Sequence, residues 1–112
     1  ISLLIQENIQ TTMVYMSKDA CKMSLRNSLS NIMNTSKNQL LIGDFNFGAN
    51  EKNCITNFLE DQKLHQVIKE PTHQLGRTID HLYLSPELED CIDIQIVFKY
   101  YSDHAAIQIK LK

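Results

Sequence analysis

The sequence predicts a layered α/β fold, and three observations carry that class. The short apolar run Gln39-Leu40-Leu41-Ile42 is of the kind buried on both faces of a sheet. Residues 17–34 and 50–64 place apolar side chains at helical spacing on otherwise polar segments. The remainder, from Thr78 on, reads as consecutive strands, so helices and strands must share a core in layers.

Taken in order, Ile1 to Gln6 and Thr11 to Met16 are β-rich runs separated by a turn at Glu7-Asn8, a hairpin or one long bent strand. From Ser17 to about Asn34, Cys21, Leu25, Leu29, Ile32 and Met33 recur on one helical face, with Lys18, Lys22 and Arg26 on another and Ser17 as N-cap. The buried run Gln39 to Ile42 stops at Gly43. Between Asn50 and Leu64, Ile55, Phe58 and Leu59 predict a second surface helix. Val67-Ile68 ends before Pro71, and a loop continues through Gly76. Strands follow at Thr78 to Leu84 and Cys91 to Phe98, joined by Ser85-Pro86-Glu87, and Ala105 to Leu111 alternates as a last strand. The chain contains no internal repeat and no low-complexity tract.

Composition agrees with one folded unit, residues 1–112. With 112 residues, 43% apolar and 21% charged, the chain can bury a core but has little room for a second domain. Its formal charge of -2 supplies no bulk footprint for nucleic acid or an anionic membrane, so such a partner must be argued from local sites. Cys21, Cys54 and Cys91 lack C-x-x-C spacing, and buried, reduced thiols of an intracellular protein are expected. No apolar run approaches the roughly 20 residues of a membrane helix, and no membrane partner is expected. The chain opens on Ile1 directly in a strand-like run and reads as a piece of something longer.

Three short clusters at strand ends could carry chemistry. In Gly43-Asp44-Phe45-Asn46, strand alternation would turn Asp44 and Asn46 the same way, an acceptor that can orient water beside a donor that can hold a phosphate oxygen. The plain structural alternative is an Asx turn closing the strand. In Thr78-Ile79-Asp80-His81-Leu82-Tyr83-Leu84, Asp80 sits inside an apolar strand and needs a partner, or else faces water at a strand edge. If its partner is a histidine, the carboxylate fixes the imidazole's tautomer and orientation. His81 points the other way and reads first as a structural histidine. In Ser102-Asp103-His104-Ala105-Ala106, adjacent Asp and His can project into one pocket, and small residues let the strand enter a crowded interior.

Asp44-x-Asn46, Ile79-Asp80-His81 and Ser102-Asp103-His104, in that order, resemble the C-terminal part of the endonuclease/exonuclease/phosphatase family. Val14-Tyr15 looks like its strand-end tyrosine. Pro71-Thr72-His73, Gly76-Arg77 and Tyr100-Tyr101 look most like the endonuclease domains of mobile elements such as helitrons and non-LTR retrotransposons, which accompany a helicase or a reverse transcriptase. The resemblance implies hydrolysis of phosphodiesters with a divalent metal, Mg2+ or Mn2+, on nucleic acid, DNA sooner than RNA; the sequence carries no address of its own. It implies that Asp44 orients or deprotonates the attacking water, that Asn46 holds a phosphate oxygen, and that Asp80 pairs with His104, which acts on the phosphate or as the base. Asp103 resembles the late metal-binding aspartate, and Tyr15 the tyrosine that donates to the scissile phosphate. Arg77 sits where a backbone-phosphate contact would be useful.

The family's earlier half, with an Asn near its start and the Glu that is the principal metal ligand, has no counterpart here. The resemblance implies a layered β-sandwich with flanking helices, of which the chain is expected to supply roughly the C-terminal half, and its partner would be the missing N-terminal half or a larger polyprotein. Two other readings follow: a catalytically inactive remnant serving as a binding or structural module, and a phosphatase or phosphodiesterase acting on a non-nucleic-acid substrate. The nuclease reading requires Asp44, Asn46, Asp80, Asp103 and His104 to converge at one end of the sheet, with Asp80 within hydrogen-bond reach of His104.

Overall fold

A computed structural model describes residues 8–34, 37–73, 76–97 and 104–111. Ile1 to Gln6, Tyr100-Tyr101 and Ser102-Asp103 lie outside them. The elements are β1 (Ile9–Tyr15), α1 (Lys22–Ile32), β2 (Asn38–Asp44), α2 (Cys54–Asp61), β3 (His65–Gln66), β4 (Asp80–Leu84), α3 (Pro86–Glu89), β5 (Ile92–Val97) and β6 (Ala106–Leu111).

β1 and β2 run parallel and are joined through α1, the connection that parallel strands require. β4 then lies antiparallel to β2, and β3 antiparallel to β4, giving a four-stranded sheet of order β1-β2-β4-β3. β5 and β6 form a separate antiparallel ribbon. β2 and β4 are central, so both of their faces are covered. Leu41 and Tyr83 pack with Val14, Leu29, Phe45, Ile55, Phe58 and Leu59 on the helix side. Leu82, Leu84, Leu88, Ile68 and Ile92 pack on the other side, with Leu40, Ile42, Ile94, Ile96, Ile107 and Ile109 partly buried against them. The result is three layers: helices, mixed sheet, ribbon. Fully buried side chains such as Leu29, Leu41 and Phe45 contribute about 1.5–3 kcal/mol each by leaving water.

The helices are shorter than their apolar periodicity. α1 begins at Lys22 rather than Ser17, because the Ser17 carbonyl closes a turn by accepting from Ala20 N–H. Its N-cap is Cys21, which makes no side-chain capping bond and is exposed. Ile32 is 51% exposed, and the face that reaches the core is Leu25, Leu29 and Met33. Arg26 and Lys22 lie over the rings of Phe58 in α2 and Phe47 after β2. Cys54 and Cys91 are half-buried, so the expectation of buried thiols fails most clearly at Cys21, which stands outside the core seam.

α2 is fixed at its start by Asn53, whose side chain accepts from Ile55 and Thr56 N–H while the Thr56 hydroxyl accepts from Asn53 N–H. Ile55, Phe58 and Leu59 are buried as their spacing predicts. Ser85-Pro86-Glu87, read as a plain connection, opens the one-turn α3, where Pro86 occupies a helix-start position that needs no amide donor. Among the described residues, no helix is long and apolar enough to cross a membrane.

Candidate active site

Strand register places the first acidic residues. Tyr15 pairs with Asp44, and Asp44 pairs with Asp80, so the three form one row across β1, β2 and β4. Alternation puts their side chains on the face that carries Ile42 and Leu82, toward the ribbon. Asp44 and Asp80 are thus directly opposed carboxylates, an arrangement whose repulsion calls for a cationic or donor group between them.

His104, just before β6, supplies that group. Its Nδ1 lies 2.8 Å from Asp80 Oδ2, and its Nε2 lies 3.7 Å from Asp44 Oδ2. The Asp80 contact assigns the ring as an Nδ1–H donor to the carboxylate, which leaves Nε2 facing Asp44. One ligand atom from each of Asp44, Asp80 and His104 lies within 4.8 Å of the others, a group able to hold a metal ion. The side chains of Asp44, Asp80 and His104 are 20%, 14% and 32% exposed, so the site is open enough to be reached and covered enough to be held.

Asn46 reaches this end of the sheet by a different route from the expected alternation. β2 ends at Asp44, and Asn46 sits in the left-handed region at φ 54°. Asp44 Oδ1 accepts the Asn46 backbone N–H at 3.0 Å, so the segment is an Asx turn. The Asn46 carboxamide nitrogen donates to the Met16 carbonyl, which ties the turn to the end of β1 and leaves a second amide hydrogen for another acceptor. The segment is the Asx turn of the plain structural alternative, and the alternation expected of Asp44 and Asn46 does not hold because β2 ends at Asp44.

The other positions divide. Tyr15 lies in the row but is 76% exposed on the edge strand. Arg77 is exposed, and its backbone carbonyl accepts from Thr72 and His73 N–H. Asp103 lies outside the described residues. His81 is fully buried, as a structural histidine should be. Its Nδ1 accepts from the Tyr83 hydroxyl at 3.0 Å, and its Nε2–H donates to the carbonyls of Phe47 and Thr78 at 2.9 and 3.0 Å. Its ring stacks on Phe45 at 4.7 Å between centroids. Burial pushes its pKa down, against the opposing effect of those carbonyl bonds, and burial pushes the Tyr83 hydroxyl up.

Sequence reasoning assigned no role to Thr72 or His73. Thr72 Oγ1 accepts the Asp80 N–H at 3.0 Å, and His73 forms a β-bridge with His104, their rings edge to face at 5.1 Å. The signal available was Pro71-Thr72-His73 itself, a motif noted for its resemblance, with nothing local to say which strand it meets.

A carboxylate–imidazole pair beside a second carboxylate, at the end of a sheet held between helices and a ribbon, is a group able to exchange a proton and to hold a cation on a layered α/β fold. Residues 9–108 match the family described as endonuclease–reverse transcriptase, and the chain belongs to that family. Its fold is similar to that of the endonuclease domain of TRAS1, a telomere-specific non-LTR retrotransposon, with a TM-score of 0.74 and 17% identity. That likeness covers 88% of this chain and 53% of the other, so the chain spans about half the length of the TRAS1 structure. No curated protein matches the chain.

Proposed function

We propose that the chain belongs to a mobile-element endonuclease that hydrolyses phosphodiester bonds of nucleic acid, DNA rather than RNA, with a divalent cation. The observation that carries this reading is the 2.8 Å contact between Asp80 and His104 in the same row as Asp44. In it, Asp80 holds the His104 imidazole in one tautomer, so that Nε2 is presented as a proton acceptor. Asp44 orients the attacking water, and the second amide hydrogen of Asn46 holds a phosphate oxygen. Tyr15 donates to the scissile phosphate, and Arg77 contacts the backbone of the bound strand.

The donor set fits Mg2+ or Mn2+. Carboxylate oxygens are hard ligands that suit these ions, and the opposed carboxylates of Asp44 and Asp80 gain from a positive charge nearby. Asp103 and the remaining carboxylate oxygens of Asp44 and Asp80 would hold the ion, which leaves His104 Nε2 free to accept a proton. When bound, such a cation neutralises charge on the phosphate oxygens and favours ionisation of water.

Residues 1–112 are read as part of a larger domain. Met13 and Tyr15, 84% and 76% exposed on edge strand β1, offer a surface that a further layer would cover. The test is nicking of supercoiled plasmid with Mg2+, with and without EDTA, by this chain and by a version extended at the N-terminus. Cleavage that EDTA and Asp44→Ala both abolish is expected. If neither protein nicks, the chain is a non-catalytic module; if only the extended one does, the missing layer completes the site.

A further inference from the structure

Thr72 is fully buried although it carries a hydroxyl, and its polar atoms are all engaged. Its Oγ1 accepts the Asp80 N–H at 3.0 Å. Its carbonyl accepts the Ala105 N–H at 2.8 Å, and its own N–H donates to the Arg77 carbonyl at 3.0 Å. One residue is therefore bonded to Asp80 itself and to the residue that follows His104. The next residue continues the link, because His73 bridges His104 and packs its ring against it.

The Asp80–His104 pair joins β4 to a separate segment before β6, and its 2.8 Å contact has little slack. Catalytic groups need their partners fixed to within about half an ångström, which backbone bonds from a buried residue can supply. We infer that Thr72 is the positioning residue of this pair, its hydroxyl fixing the backbone of Asp80 and its carbonyl fixing the segment before β6 that carries His104. The geometric claim stands by itself, and its catalytic meaning rests on the phosphodiester hydrolysis proposed above. Thr72→Val keeps the shape and leaves the Asp80 N–H without its acceptor, whereas Thr72→Ser keeps the hydroxyl.

The experiment is NMR of histidine-labelled chain, read beside plasmid nicking. A carboxylate-bonded Nδ1–H of His104 gives a low-field, exchange-protected resonance in the wild type. That resonance is expected to persist in Thr72→Ser and to be lost in Thr72→Val, with kcat falling about 10- to 100-fold and KM little changed. A resonance unchanged in Thr72→Val overturns the inference. If Thr72→Val does not fold, wild-type hydrogen exchange decides: the Asp80 and Ala105 amides must be as protected as strand amides, and loop-like exchange at either one overturns it. Loss of the resonance in Thr72→Val, when neither this chain nor the N-terminally extended version nicks, supports the positioning role and removes the hydrolytic reading instead.

Discussion

Asp80 and His104, 24 residues apart in sequence, meet at 2.8 Å where β4 begins and the segment before β6 crosses it. Asp80→Asn replaces one carboxylate oxygen with a donor and weakens the hold on the Nδ1–H tautomer. Plasmid nicking is expected to fall by about 100-fold or more, with the far-UV circular dichroism unchanged. Retained activity would remove His104 from the proton-accepting role.

Gly43 stands in β2 opposite Val14, and a Cβ there would lie 1.8 Å from the Val14 carbonyl oxygen. The clash is with backbone, which cannot rotate away. Gly43→Ala is expected to cost about 1–3 kcal/mol in urea unfolding, as over-packing does, and to disturb the adjoining Tyr15–Asp44 row. An unchanged midpoint would mean that β1 and β2 can separate freely.

Burial holds the pKa of His81 below its ordinary value of 6.5. The unfolded chain therefore binds the proton more readily than the folded one. The stability that a neutral His81 contributes is fully present above about pH 6.5 and is lost as pH falls toward the depressed folded value. The urea midpoint is expected to drop between about pH 7.5 and pH 5, with a shallower slope in His81→Gln than in the wild type. Equal slopes would show that other groups govern the acid limb.

Asn53→Ala removes the side-chain acceptor for Ile55 and Thr56 N–H at the start of α2. A loss of about 1 kcal/mol is expected from denaturant titration, the usual worth of an N-cap. The consequence reaches the core, because α2 carries Ile55, Phe58 and Leu59.

Cys21 is exposed at the start of α1, where the nearby donor groups of Ser24 and Met23 lower the pKa of its thiol. Its thiolate is thus both favoured and reachable. Mass spectrometry after brief iodoacetamide treatment should find Cys21 alkylated before Cys54 or Cys91, which are half-buried. Preferential labelling of Cys91 would contradict the surface position of Cys21.

Much of the framework was legible because local chemistry dictates it. Gln39 to Ile42 is a run typical of a strand covered on both faces, and Ile55, Phe58 and Leu59 recur at the spacing of one helix face. Boundaries were less legible. Ser17 is a good N-cap residue, but its carbonyl closes a turn first, and no helix-side property of the sequence reports that competition. Asn46 was expected beside Asp44 by alternation and arrives there by an Asx turn, since the strand stops one residue after Gly43.

The sequence by itself determined the residue types of the site, their order along the chain and their places at strand ends, because hydrophobic period and chemical motif are local properties. Only the tertiary structure decided which of them meet. Register set Asp44 opposite Asp80, the chain's return toward β6 brought His104 between them, and the buried Thr72 bonded to both sides of that junction. Those contacts depend on pairings between distant segments, where hydrogen-bond geometry and packing choose the partner and no short stretch of sequence carries the choice.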